Sequence, residues 1–174
     1  LARLLAEQVE ANQYGQRMML FTTYYSLHQS FADIGERVPF DRKADYDAYL
    51  VRLADFPKLN AEAIKITRLA MKGGFVQPCT VIGIFGTTVS GAVAGPAQQT
   101  RFFVPFAGNR PVAVEPAAWD ALKQRGETII ETVIAPEYRK FATLFEKEYL
   151  PKCRQTVGAS AMPDGPEWYA SQVR

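Results

Sequence analysis

Trp168 and Tyr169 follow the turn-forming run Pro163-Asp164-Gly165-Pro166 and precede Arg174, and these three are the residues best suited by type to hold a ligand. Aromatic faces cover apolar groups, and a guanidinium fork takes a carboxylate through two parallel hydrogen bonds, so the set suits a peptide or another carboxylate-bearing ligand. The plainer assignment makes Trp168 and Tyr169 core anchors under a loop and Arg174 a surface charge. Residues for bond-breaking chemistry are scarcer. Metal-assisted hydrolysis needs several ligands on one ion, and His28 is the single histidine. Set among Tyr24, Tyr25, Leu27 and Phe31, it reads as a packed or surface side chain. Any Ser-His-Asp or Cys-His arrangement would also have to use it. Cys79 and Cys153 match no ligand or redox spacing; they read as buried or free thiols and leave the compartment open. Asp45 with Asp47, and Glu146 with Glu148, stand at i and i+2, where helical side chains do not face each other. No catalytic residue and no metal ligand is assigned.

The elements that must position the aromatic pair begin at Glu127. Ile130, Ile134, Tyr138, Phe141, Phe145 and Tyr149 recur in steps of three or four, which keeps one face along a helix. Six such side chains, at about 1.5 to 3 kcal/mol each when buried, outweigh the roughly 3 kcal/mol cost of Pro136 in a helix interior. The pattern therefore predicts a kink at Pro136 and a continuing helix. Pro151 repeats the problem, and Gly158 is expected to close the helix in a left-handed conformation. Met162 to Pro166 reads as a tight turn, after which Glu167-Trp168-Tyr169 opens a short helical or extended segment.

At 174 residues, with 48% hydrophobic and 22% charged residues, the chain can bury about 70% of its unfolded surface as one soluble unit. Its 20 basic and 18 acidic residues are dispersed, without the basic block that phosphate neutralisation needs, so nucleic acid is not an expected partner. Leu1 is no initiator and no signal peptide is visible, which suggests a processed N-terminus or an internal fragment.

Leu1 to Val9 reads as an amphipathic helix, continuing after a break near Gly15 into a helical Met18 to Phe31 segment, neither with an evident cap. A loop from Gly35 to Arg42 leads to a helix that Asp41 or Asp45 can cap, with Tyr46, Tyr49, Leu50, Leu53 and Phe56 on one face. Pro57 starts a further helix carrying Leu59, Ile64, Ile66, Leu69 and Met71, stopped by Gly73-Gly74, and the two are expected to form a helical hairpin. No charged residue occurs from Gly74 to Thr100. Its glycines and prolines argue against a transmembrane helix, and it lacks the Lys or acidic partner of a phosphate-cradling loop. Small residues that allow close helix packing explain it best, with a cleft lining as the remaining reading. Arg101 to Val114 reads as a loop anchored by Phe102, Phe103 and Phe106, with only a doubtful strand at Phe102 to Val104. The expected class is all-α, an irregular multi-helix array forming one helical fragment with segments 1–44, 45–100 and 101–174.

Particular runs carry a family resemblance. Pro136-Glu137-Tyr138, Glu148-Tyr149-Leu150-Pro151 with Arg154, Thr156-Val157-Gly158, and Ser160 to Arg174 resemble the bacterial domain of unknown function 885. Upstream, Asp45-Tyr46, Tyr49-Leu50, Arg52-Leu53, Gly73-Gly74 and Pro78 are similar to that family's preceding helices, so the resemblance spans Asp45 to Arg174. It implies a mostly helical, exported or lipid-anchored zinc metallopeptidase of greater length, placed in the periplasm or envelope. The family's metal motif, a His-Glu pair followed by Pro-Gly-His-His, matches nothing from Leu1 to Arg174. The resemblance thus implies zinc in the parent and none in this fragment, with the remaining C-terminal part of the parent as partner and a peptide as substrate. Apolar surface should stand open where that part would dock. The alternative is a noncatalytic helical binding or envelope lipoprotein module. Glu137 stands where the family usually has Ala, Ala159 and Met162 stand where it has Leu, and the Ile82 to Gly95 run is less helical than its pattern.

Overall fold

The computed structural model describes residues 5–6, 9–10, 12–22 and 25–173. Among them the architecture is all-α, without a strand. The helices are α1 (Leu27–Ala32), α2 (Lys43–Ala54), α3 (Phe56–Lys72), α4 (Cys79–Ile82), α5 (Phe85–Gly91), α6 (Val104–Ala107), the long α7 (116–152) and α8 (Gly165–Gln172). None of the described helices is long and apolar enough to cross a membrane.

The long helix is the axis of the core. It runs as Pro116–Ile129, widens into a π segment at Ile130–Ile134, returns to α over Ala135–Leu144, widens again at Phe145–Tyr149 and ends as a 3-10 turn at Leu150–Lys152. All six residues of the expected stripe are 2% exposed or less. Both prolines are accommodated in the same way. A proline ring clashes with the carbonyl four residues back, which for Pro136 is Thr132 and for Pro151 is Lys147. Each of those carbonyls lies within a π segment, where the wider turn moves it off the ring. The helix therefore passes Pro136 instead of ending there.

Aromatic rings fill the space around this axis. Phe21 stacks on Phe85 with centroids 4.5 Å apart and meets Phe145 and Tyr149 edge-on. Phe56 stacks on Tyr138 at 5.2 Å, and Phe102 packs edge-on against the same ring. A second group joins Tyr46, Phe106 and Trp119. On α2 the expected face is buried, and Asp45 caps the helix by accepting from the backbone N–H groups of Asp41 and Arg42. Phe102, Phe103 and Phe106 are buried as anchors, with the doubtful strand replaced by a 3-10 turn at Arg101–Phe103 and by α6.

Several expectations are corrected. The expected face of α3 holds only in part: Ile64 and Met71 are buried and Ile66 is half-buried, but Leu59 and Leu69 are exposed, and Asn60, Ala63, Thr67 and Ala70 complete the buried face. Small side chains there let α3 lie against α7. Asp55 alone joins α2 to α3. Met18 to Phe31 is not one helix. A 3-10 turn at Gly15–Met18 leads to an isolated bridge between Phe21 and Ser26, and α1 begins only at Leu27. Ser26 caps α1 after all, its hydroxyl accepting from the N–H of Gln29. In the amphipathic helix expected over Leu1 to Val9, Leu1 and Leu4 lie outside the described residues, and Leu5 and Val9 are exposed. Gly73-Gly74 does stop α3, with Gly74 at φ 81°. In the uncharged stretch, Gly86 sits where a Cβ would come within 3.0 Å of the Phe145 ring, the close approach that small residues allow.

Candidate functional site

Two backbone runs meet where α7 ends. Cys153 turns the chain out of the helix, and Arg154 then lies alongside Pro78 in an isolated parallel bridge. The N–H of Arg154 donates to Gln77 O at 3.1 Å, and the N–H of Cys79 donates to Arg154 O at 2.9 Å. This pairing brings the two cysteine Cα atoms to 5.0 Å, within disulfide range, and Cys79 and Cys153 are bonded. The expectation of free thiols is overturned. The pairing was hidden because the apposition depends on the bridge, not on spacing along the chain.

Arg154 ties this junction to the loop that follows. Its Nε donates to Val76 O at 3.0 Å, and its Nη1 donates to Thr156 O at 2.6 Å and Gly158 O at 2.7 Å. Three carbonyls from two runs thus converge on one guanidinium. Behind it the hydroxyl of Tyr149 accepts from the N–H of Gln77, and burial pushes that phenol up to about 12, the Gln77 contact opposing the shift.

The clamp fixes the approach to the aromatic pair. Gly158 is not the left-handed residue expected, with φ −59° and ψ 141°. The left-handed conformation falls instead on Asp164, at φ 52°, inside the predicted tight turn, which the N–H of Gly165 closes on Met162 O at 3.0 Å. A Cβ on Gly165 would lie 2.2 Å from Ala159 O, so the backbones touch where the turn folds back. Pro166 opens α8, and its short turns carry Trp168, half-buried, and Tyr169, 58% exposed. Tyr169 is therefore no core anchor. Arg174 lies outside the described residues, so the third member of the predicted set has no placement here.

His28 is packed, as its neighbours in sequence suggest, and belongs to a buried relay. Its Nε2 lies 2.9 Å from Asn60 Oδ1, while Asn60 Nδ2 donates to Glu137 Oε2 at 2.6 Å and Glu137 O at 3.0 Å. The amide oxygen is the acceptor left for the imidazole, so Nε2 carries the proton. Tyr138 donates its hydroxyl to His28 O at 2.6 Å, and the imidazole lies 3.8 Å from the Phe141 ring centre. Desolvation, partly offset by the bond to Asn60, lowers its pKa to about 4. A neutral, enclosed imidazole of this kind is neither an accessible base nor a ligand. Glu137, which the spacing of the stripe sets on the solvated face, is instead turned to Asn60, and Asn60 went unassigned from sequence, although the step from Phe56 to Ile64 does run through it. Among the described residues no three His, Cys, Asp or Glu side chains gather to hold a metal ion, so the residues described do not fit a zinc site.

The decisive comparison is with protein families. Over residues 1–174 the chain matches the family described as bacterial protein of unknown function, DUF885. The chain belongs to the DUF885 family. That match extends the likeness read from Asp45 onward to residues 1–44 as well. No curated protein and no solved structure matches the chain.

Proposed function

We propose that this DUF885 chain is the helical scaffold and substrate-side wall of an exported zinc-dependent peptidase whose metal ligands lie beyond the residues described. The observation that carries this reading is the locked turn: the Cys79–Cys153 bond, the Arg154 clamp and the left-handed Asp164 together set α8 and its aromatic pair on a rigid base. Preorganised aromatic groups bind a ligand without first spending free energy on ordering themselves. Trp168 and Tyr169 would then cover an apolar peptide side chain, and Arg174 would take a carboxylate. The disulfide supports export, because such bonds persist in oxidising compartments. The zinc and the hydrolytic role come from the resemblance of the motifs around Arg154 and Ser160 to Arg174, and no bond-breaking step is assigned to the residues described.

Purified full-length protein tests the reading through its zinc content and its hydrolysis of a peptide library. Stoichiometric zinc, cleavage, and a raised KM in Trp168→Ala and Tyr169→Ala with kcat retained are expected. Absence of both zinc and cleavage would end the peptidase assignment; peptide binding without either would favour the noncatalytic envelope module. Zinc and cleavage with both variants unaltered in KM would end the substrate-side role of α8.

A further inference from the structure

A trough runs between α3 and α7 on elements separate from the aromatic pair. Two adjoining cavities of about 320 and 510 Å³ share Ile64, Arg68 and Lys140 in their walls. Five cations line them, Lys65, Arg68, Lys72, Lys140 and Lys147, against a single lining acid, Glu148. That is a net of four positive charges in a chain whose total is +2. Glu62 and Glu137 stand 3.5 Å from Lys65 and Lys140 and halve the excess, yet Lys72 and Lys147 have no ion pair among the described residues.

One exposed ion pair spans the trough. Arg68 Nε and Nη2 meet Glu148 Oε2 and Oε1 at 2.9 and 2.6 Å, a bidentate pair joining α3 to the second π segment of α7. The same π segment carries Lys147 into the lining. Between the charges lie apolar groups: Ile64 and Leu144 in the floor and Leu69, half exposed, on the lip.

We propose that this trough docks an acidic peptide segment, its carboxylates on Lys72 and Lys147 and an apolar side chain over Leu69. Charge complementarity chooses the sign of the occupant, and the apolar floor chooses its class. A nucleic acid strand would present bases for stacking, and no aromatic side chain lines the trough. The proposal stands apart from peptide hydrolysis and is tested without it.

Fluorescence anisotropy of full-length protein with a labelled Glu/Leu peptide, and with the same peptide carrying Lys for Glu, is the test. The acidic peptide should bind, more weakly as salt rises, and the basic one should not. Lys72→Glu/Lys147→Glu should weaken binding about tenfold or more, with Lys72→Gln/Lys147→Gln intermediate and Arg42→Glu/Arg52→Glu within about twofold of the parent. Helical circular dichroism checks that each variant remains folded. Failure to bind the acidic peptide, equal losses in the trough and control variants, or tighter binding of a single-stranded oligonucleotide would each overturn the proposal.

Discussion

The imidazole of His28 lies 2.9 Å from the amide oxygen of Asn60 and is almost wholly enclosed, with its pKa lowered from 6.5 to about 4 by burial. Lowering the pKa of a base in the folded state means that the unfolded chain takes up the proton first as pH falls. The stabilisation from neutral His28 is then complete above about pH 6.5 and is lost as pH falls from there through about 4. Between neutrality and about pH 4.5 the loss should approach 2 kcal/mol by linkage. Urea unfolding of the parent and of His28→Gln at the two pH values measures it. The variant should lack this part of the acid dependence, and parallel curves for the two proteins would refute the assignment.

The bond between Cys79 and Cys153 closes a loop spanning 74 positions. A crosslink over such a loop restricts the unfolded chain by about 4 kcal/mol in the chain-entropy account, with measured effects typically about 2 to 5. Cys79→Ser/Cys153→Ser should lose stability in that range, and reductant should destabilise the parent but not the double variant. Thiol titration of the denatured, unreduced protein should find neither cysteine free; two titrating thiols would contradict the pairing.

The legible parts of this fold are those in which period and burial agree. The stripe from Ile130 to Tyr149 could be read because its large apolar side chains are the buried ones. On α3 they agree only in part: Ile64 and Met71 are buried as expected, but Leu59 and Leu69 face outward while Asn60 and Thr67 face inward, so hydrophobicity alone gave half of the face. Close approach to α7 selects for small residues there, and a hydrogen-bonded amide is tolerated at Asn60. The turn before Trp168 was visible in its proline and glycine residues, but the left-handed position fell on Asp164 rather than Gly158. Arg154 and the disulfide were unreadable for one reason, since both act across a pairing of distant runs that no local pattern encodes.

Asn60 and Glu137 should differ sharply when truncated. Asn60→Ala removes the acceptor of His28 and leaves buried polar groups unpaired, a change that costs about 1 to 3 kcal/mol for such a group. Glu137→Ala still leaves Asn60 Nδ2 its bond to the main-chain oxygen of residue 137. Its cost should stay below about 1 kcal/mol, as for a partner whose role is shared. Chemical denaturation of both variants checks the order, and a Glu137→Ala loss equal to that of Asn60→Ala would show that the carboxylate, not the amide, holds the relay.

Gly165 and Gly91 provide a matched pair for the rigidity of the turn. A methyl at Gly165 would press on Ala159 O at 2.2 Å, a backbone atom that cannot step aside without moving the turn, whereas one at Gly91 would meet nothing within 4 Å. Gly91→Ala, at the end of a helix, should be neutral or stabilising by up to about 1 kcal/mol. Gly165→Ala should destabilise by about 1 to 3 kcal/mol or displace α8. Displacement has its own signal, because Trp119 is buried in the second aromatic group and Trp168 rides on the turn, so a change in tryptophan emission without global unfolding reports α8. If Gly165→Ala retained both the parent's stability and its emission, the turn would be compliant, and the rigid base attributed to α8 would be lost with it.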